Sequence, residues 1–464
     1  MLFAGSPETL DPQRHQEDLT RMVLANFYEG LVELDGNLRP RAALAVEWSS
    51  PTENVWRFRL RPGVTFHDGQ PFGPEDVKRT IERARSLRES KVEADVRAIT
   101  TVRIVDGSTV ELVTDRPRPL LLGRLAMTPI LPRSAPDAEI VSPVGTGPYR
   151  FSKGSAKEPV EGVRFERYWG PRPWSPGFRI DMEPQDEARL ARARDFDVSC
   201  PLPERASSDT LEIVRHPTVT VSFLVCRLTP LADGSASPFR DARVRRAVSL
   251  AIDRDQLAKG NDARAARQLA LRGVVGFVPE LEQGTSVDRE RARALLREAG
   301  YPDGLRTTLC LSSRGASMGA ELARQLATVG IALEVAPVAW PELYRRMSTG
   351  EAPLAVASWT LSGGDPSSLF EQVAHSRTAD GAFGAENTSG YASAEMDAEI
   401  EAASLDMVNV SRSRRLESIM RRAMTDLPLV PLSTPLWSYG IRKGLLFTPR
   451  LDLAVRAADI RRIE

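Results

Sequence analysis

Between residues 219 and 256 the chain passes through a strand, a polar loop and an amphipathic helix, and that order limits what it can fold into. VTVSFLV at 219–225 is an apolar, β-branched run of strand length. A loop of Pro, Gly, Ser and Asp follows. Asp241 is placed to cap a helix whose Val244, Ala247, Val248, Ala251 and Ile252 recur at the spacing of one helical face. Asp253, with Gln256 three residues on, starts the next helical turn. A helix with a single apolar stripe, entered straight from a strand, buries that stripe on a sheet.

The alternation continues downstream. The pattern predicts strands over 307–312, 331–335 and 354–359. It predicts helices over 288–300, 318–329 and 341–347, with Met318, Leu322, Leu326 and Val329 on one face of the second. Strand, helix and strand in turn imply right-handed crossovers and a largely parallel sheet. Upstream, a helix is expected over 21–28, ending at Gly30. Trp56, Phe58 and Leu60 alternate with Arg57, Arg59 and Arg61, the pattern of a half-buried strand. Pro74 suits a first helical position, and Glu75 and Asp76 the first turn after it. Asp106-Gly107-Ser108 between two strand-like runs signals a hairpin.

At 464 residues the chain is long enough for two or three domains. Lysine plus arginine equals aspartate plus glutamate at 62 each, so no overall field recruits nucleic acid. Cys200, Cys226 and Cys310 are widely spaced in apolar surroundings and read as buried free thiols. His15, His67, His216 and His375 fall in no metal-spaced or glutamate-paired motif. There is no nucleophile elbow or phosphate loop either, and these absences argue against an enzyme and against a metal or other cofactor. Gly145-Thr-Gly147 is followed at once by Pro148, which rules out a dinucleotide fingerprint.

FRDARVRRAV at 239–248 and AIDR at 251–254 are joined by FYEGLV at 27–32, RPGVTFHDG at 61–69, PFGPEDV at 71–77 and VGTGPYRF at 144–151. RYWG at 167–170, AGYPDG at 299–304 and NTSGY at 387–391 extend the set. Together these resemble the extracytoplasmic solute-binding proteins of ABC importers, family 5, the branch that carries oligopeptides, dipeptides and nickel. The resemblance implies an α/β, two-lobe periplasmic-binding-protein-like fold of type II, with an extra α+β subdomain in lobe one. Its expected boundaries are 1–37, 139–224 and 433–464 for the main part of lobe one, 38–138 for the insertion and 225–432 for lobe two. It also implies capture of a small peptide-like or other polar solute in an interlobe cleft, hinge closure, and delivery by a monomer to membrane permease subunits. A sensing module reporting to a receptor is the first alternative, an enzyme on this scaffold the second. The family begins with a fuller strand than Met1-Leu-Phe-Ala4. We therefore expect an extracytoplasmic protein whose export signal is missing from this sequence, with a lipoprotein anchor in its native form.

The same resemblance supplies candidate ligand contacts. Trp359 stands at the end of a lobe-two strand, where ligands lie in open α/β sheets, with Thr360 beside it. Arg314 follows the preceding strand and offers a bidentate grip on a carboxylate. His15, Gln16 and Glu17 follow the first motif, Thr146 lies in the Gly-Thr-Gly-Pro-Tyr turn, and Phe223 lies on the crossing strand. Peptide-binding members carry an aspartate three residues past the tryptophan, which holds the peptide ammonium; here that position is Ser362. Asp365, with Pro366 next to it, is expected to cap a helix.

Overall fold

The computed structural model describes residues 1–203, 206, 208–283, 287–361 and 364–463. Two compact units divide the chain: residues 1–218 with 437–464, and residues 219–436.

In the first unit the short strand Leu2–Phe3 lies between Gly177–Met182 and Val198–Leu202 and runs parallel to both. Glu158–Arg164 and Tyr149–Ser155 continue the sheet antiparallel on one side, and residues 438–441 pair with Val198–Leu202 on the other. Its core gathers Phe3, Met22, Phe27, Tyr149, Ile180, Tyr439 and Ile441. A separate four-stranded antiparallel sheet takes Ala45–Thr52, Val55–Leu60, Thr109–Thr114 and Ile99–Asp106, in that spatial order. Trp56, Phe58 and Leu60 point inward and their arginine neighbours outward, as the alternation predicts. The helix Pro74–Ser86 begins at Pro74, and Asp76 returns a hydrogen bond to the Gly73 N–H.

The early helix runs Asp18–Leu24, not over 21–28. Glu17 starts it, accepting from the N–H groups of Leu19 and Thr20 at 3.0 and 2.8 Å and from the Thr20 hydroxyl at 2.6 Å. Residues 25–28 leave the helix because their backbone is used elsewhere. Asn26 and Phe27 carbonyls accept from Tyr149 and Gly147, which pins the turn before Tyr149–Ser155.

In the second unit Ile331–Val338, Leu305–Ser312 and Leu354–Thr360 are neighbours and mutually parallel. Thr220–Cys226 then runs antiparallel to Leu354–Thr360, and Leu429–Arg442 antiparallel to Thr220–Cys226. Ala263–Ala265 adds a further antiparallel ladder against residues 433–435, so the sheet is mixed where a largely parallel one was expected. The reason is connectivity: Thr220–Cys226 brings the chain into the unit and Leu429–Arg442 takes it out, so the two run in opposite senses. Asp241 caps Ala242–Ala251, whose Val244, Ala247, Val248 and Ala251 join Leu309, Leu311, Leu322, Leu326 and Leu354 in one core. Asp253 and Asp288 cap the next two predicted helices. Cys200, Cys226 and Cys310 are free and buried.

Candidate ligand-binding site

Three parallel neighbours end along one edge of the second unit's sheet, and register fixes which residues emerge there. Ser312 pairs with Val338 and Leu309 with Leu354. Arg314 and Trp340 lie two residues past the first pair, and Arg314 and Trp359 five past the second. Trp359 is the penultimate residue of its strand, while Arg314 and Trp340 each follow the end of theirs by two residues, so all three lie at or just past the carboxyl ends of adjacent parallel strands. Arg314 is exposed on a 3₁₀ turn and has no hydrogen-bond or ion-pair partner among the described residues. Trp340 is 56% exposed at the start of the helix Trp340–Thr349, with Pro341 after it. Trp359 is half-buried, and its indole N–H donates to the Ser368 hydroxyl at 3.1 Å. The strand alongside adds two hydroxyl pairs, Thr220 with Thr360 at 2.9 Å and Ser222 with Ser358 at 2.8 Å.

Below Trp359 the chain is tied down. Asp365 accepts from the Ser367 N–H at 2.7 Å and pairs with Arg412 at 2.5 Å, both side chains buried. Asp365 thus serves the start of the short helix Ser367–Leu369. Ser362 lies outside the described residues. Phe223, expected at the site, is 1% exposed: its strand is central, and this side chain faces the sheet interior.

The first unit commits other candidates to structure. Both carboxylate oxygens of Glu17 cap its helix, and the Gln16 amide donates to the Lys91 carbonyl at 2.7 Å from an exposed position. His15 is buried with no partner for Nδ1, and desolvation, then Arg21, lowers its pKa to about 4. Thr146 is buried, and its hydroxyl donates to Glu29 at 2.8 Å.

That bond belongs to a cluster the sequence did not announce. Glu29 also accepts from the Tyr168 hydroxyl and the Trp169 indole N–H, each at 2.8 Å. The Arg61 guanidinium lies 4.0 Å over the Trp169 ring. Burial raises the Glu29 pKa to about 7 against the pull of the three donors. His67 holds the same turn from the other side. Its Nε2 bonds the Gly147 carbonyl at 3.0 Å, while Nδ1 accepts from the Gly145 N–H at 3.2 Å. This pair of roles requires the neutral ring, and burial lowers its pKa to about 4. Gly145 and Gly147 let the turn reach Phe27: a Cβ would meet that carbonyl oxygen at 2.1 and 2.7 Å.

A cavity of about 470 Å³ in the first unit is lined by six charged side chains, Arg14 and Lys91 among them, and Thr9. It lacks the apolar wall against which small-molecule sites bury their ligands. Among the described residues no group of three or more His, Cys, Asp or Glu is arranged to hold a metal ion. No helix there is long and apolar enough to cross a membrane.

Two indoles and a guanidinium without a partner among the described residues thus lie near the carboxyl ends of these strands. Residues 37–381 match the model of the bacterial extracellular solute-binding proteins, family 5, and the chain belongs to that family. It is 27% identical over 469 residues to the glutathione-binding protein GsiB of Salmonella typhi, covering 91% of this chain and 86% of that one. It is 25% identical over 415 residues to the dipeptide-binding protein of Escherichia coli strain K12, covering 79% and 76%. The crystal structure of a nickel ABC transporter from Bacillus halodurans superposes with a TM-score of 0.85 at 21% identity, over 99% of this chain and 98% of that one.

Trp340 is the residue the sequence reading passed over. Its signal was present, an aromatic directly before a predicted helix and after a predicted strand. Its importance depends on the sheet register that brings the end of its strand to the same edge as that of Trp359.

Proposed function

We propose that this protein is the solute-binding component of an ABC importer, taking up a small peptide-like or other small polar solute and passing it to permease subunits. One observation carries the reading: Arg314, Trp340 and Trp359 lie at or just past the carboxyl ends of three adjacent parallel strands. Indole faces bury the body of a solute, and an unpaired guanidinium grips a carboxylate with two parallel hydrogen bonds. The protein works as a monomer outside the cytoplasm and performs no catalysis.

The ligand class follows from Ser362. A hydroxyl there carries no charge, and giving up a charge-assisted bond to a ligand ammonium forfeits about 1.5–3 kcal/mol. Asp365 does not replace the missing charge, because Arg412 and Ser367 occupy it. The solute is therefore an acidic or neutral peptide-like molecule, not a peptide held by a free amino terminus. Glutathione, named in relatives of this chain, carries two carboxylates against one free ammonium and is the first compound to try, beside its N-acetylated form. Mass spectrometry of the natively purified protein should find such a compound. Calorimetry should then show that N-acetylating a matched dipeptide does not weaken binding. Tight binding of free-amine dipeptides that acetylation abolishes would refute the assignment.

A further inference from the structure

We propose that Arg412, on the helix Asn409–Asp426, is a positioning residue for Trp359; the inference rests on the reading that Trp359 meets the solute. The chain of contacts is short. One arm of the guanidinium pairs with Asp365 at 2.5 Å, and the other donates to the Ser367 hydroxyl at 2.6 Å. Asp365, Ser367 and Arg412 are 5%, 3% and 6% exposed, so none of these bonds competes with water. Ser367 opens the three-residue helix whose next member, Ser368, accepts the Trp359 indole N–H. Ser367–Leu369 continues into the helical turn Phe370–Ala374, and the Arg412 fork fixes the start of this short stretch, where the first N–H groups have no partner within the helix. On the other side Pro366 comes close to Gly276: a Cβ there would lie 3.3 Å from the proline ring and 2.9 Å from Leu416. The segment that orients the indole is therefore held between residue 276 and the Arg412 fork.

The fork shape matters more than the charge. A lysine would keep Asp365 paired, but its single ammonium cannot reproduce two divergent N–H arms. Arg412→Lys should therefore fold normally and lose the hold on Ser367.

The test reads the tryptophan directly. In protein carrying ¹⁵N-labelled tryptophan, the Trp359 indole N–H signal is the one of seven that Trp359→Phe removes. Ser368→Ala, which deletes its acceptor, should shift that signal and speed its exchange with solvent. Arg412→Lys and Ser367→Ala should reproduce the change in a protein that still melts cooperatively, though at a lower temperature, and both should weaken binding of reduced glutathione roughly tenfold, as losing one buried hydrogen bond does. If Ser368→Ala moves the signal while Ser367→Ala and Arg412→Lys leave it in place, Arg412 does not position the indole. The spectra decide this whether or not glutathione binds. Unchanged glutathione affinity in Trp359→Ala would instead count against Trp359 as a contact, leaving the spectroscopic result standing.

Discussion

Glu29 is a carboxylate placed where its charge is unwelcome, and the pH dependence of stability should show it. Its pKa rises from 4.5 to about 7 on folding, so the folded chain holds a proton that the unfolded chain has released. Stability therefore falls as pH rises from about 4.5 to about 7 and stays low above that. His15 and His67 act in the opposite sense: with pKa values lowered to about 4, they withdraw stability as pH falls from 6.5 toward 4. Glu29→Gln removes the first effect and keeps the geometry, since its carbonyl accepts from Thr146 and Trp169 while its amide donates to Tyr168. Between pH 4.5 and 8 the variant should gain about 3 kcal/mol on the wild type in urea titrations. Parallel curves for the two proteins would show that Glu29 does not titrate in this window. At the other unit, Trp359→Ala should cost about 2 kcal/mol or more in solute affinity. The unliganded melting temperature should stay nearly the same, because the indole is only half-buried. A large drop in melting temperature with affinity intact would make Trp359 a core residue.

At the scale of elements, the strands at 307–312, 331–335 and 354–359 and the helices after Asp241, Asp253 and Asp288 lay open in the sequence, because their apolar periods were clean and these aspartates marked the helix starts; the helices Ala394–Leu405 and Asn409–Asp426 were not foreseen. The first helix was misjudged because glutamate is a weak advertisement for a cap, and because a distant turn takes the carbonyls of Asn26 and Phe27. The Glu29 cluster was illegible for a related reason: its three donors come from 117 to 140 residues away. One such long-range tie is the pair Asp11–Arg83, at 2.6 Å with both side chains fully buried. Asp11 also accepts from the N–H groups of Gln13 and Ile140. Arg83→Met should cost about 3–5 kcal/mol by leaving the Asp11 charge buried without its partner. A smaller penalty, about 1 kcal/mol, is expected for Glu17→Ala at the helix start. Chemical denaturation of the two variants separates these cases, and equal losses would contradict the burial argument.

For the whole molecule, a solute that binds only the folded form stabilises it by mass action, by about 2.7 kcal/mol at a hundredfold excess over Kd. Thermal melts in a panel of di- and tripeptides, glutathione and their N-acetylated forms should rank the acidic and N-blocked compounds first. A panel in which only cationic free-amine peptides raise the melting temperature would reverse the assignment made from Ser362.

The strand Leu429–Arg442 comes late in the chain yet completes a ladder in each unit: residues 429–433 pair with Thr220–Cys226 and residues 438–441 with Val198–Leu202. Neither unit can complete its sheet until the ribosome has added nearly the whole sequence. Until then each carries an open ladder of unpaired amides, the kind of edge that recruits another chain. Synthesis thus yields a chain whose two sheets stay unfinished until near its end. It also means that a copy cut short by a few dozen residues would have two raw edges to betray it to proteases.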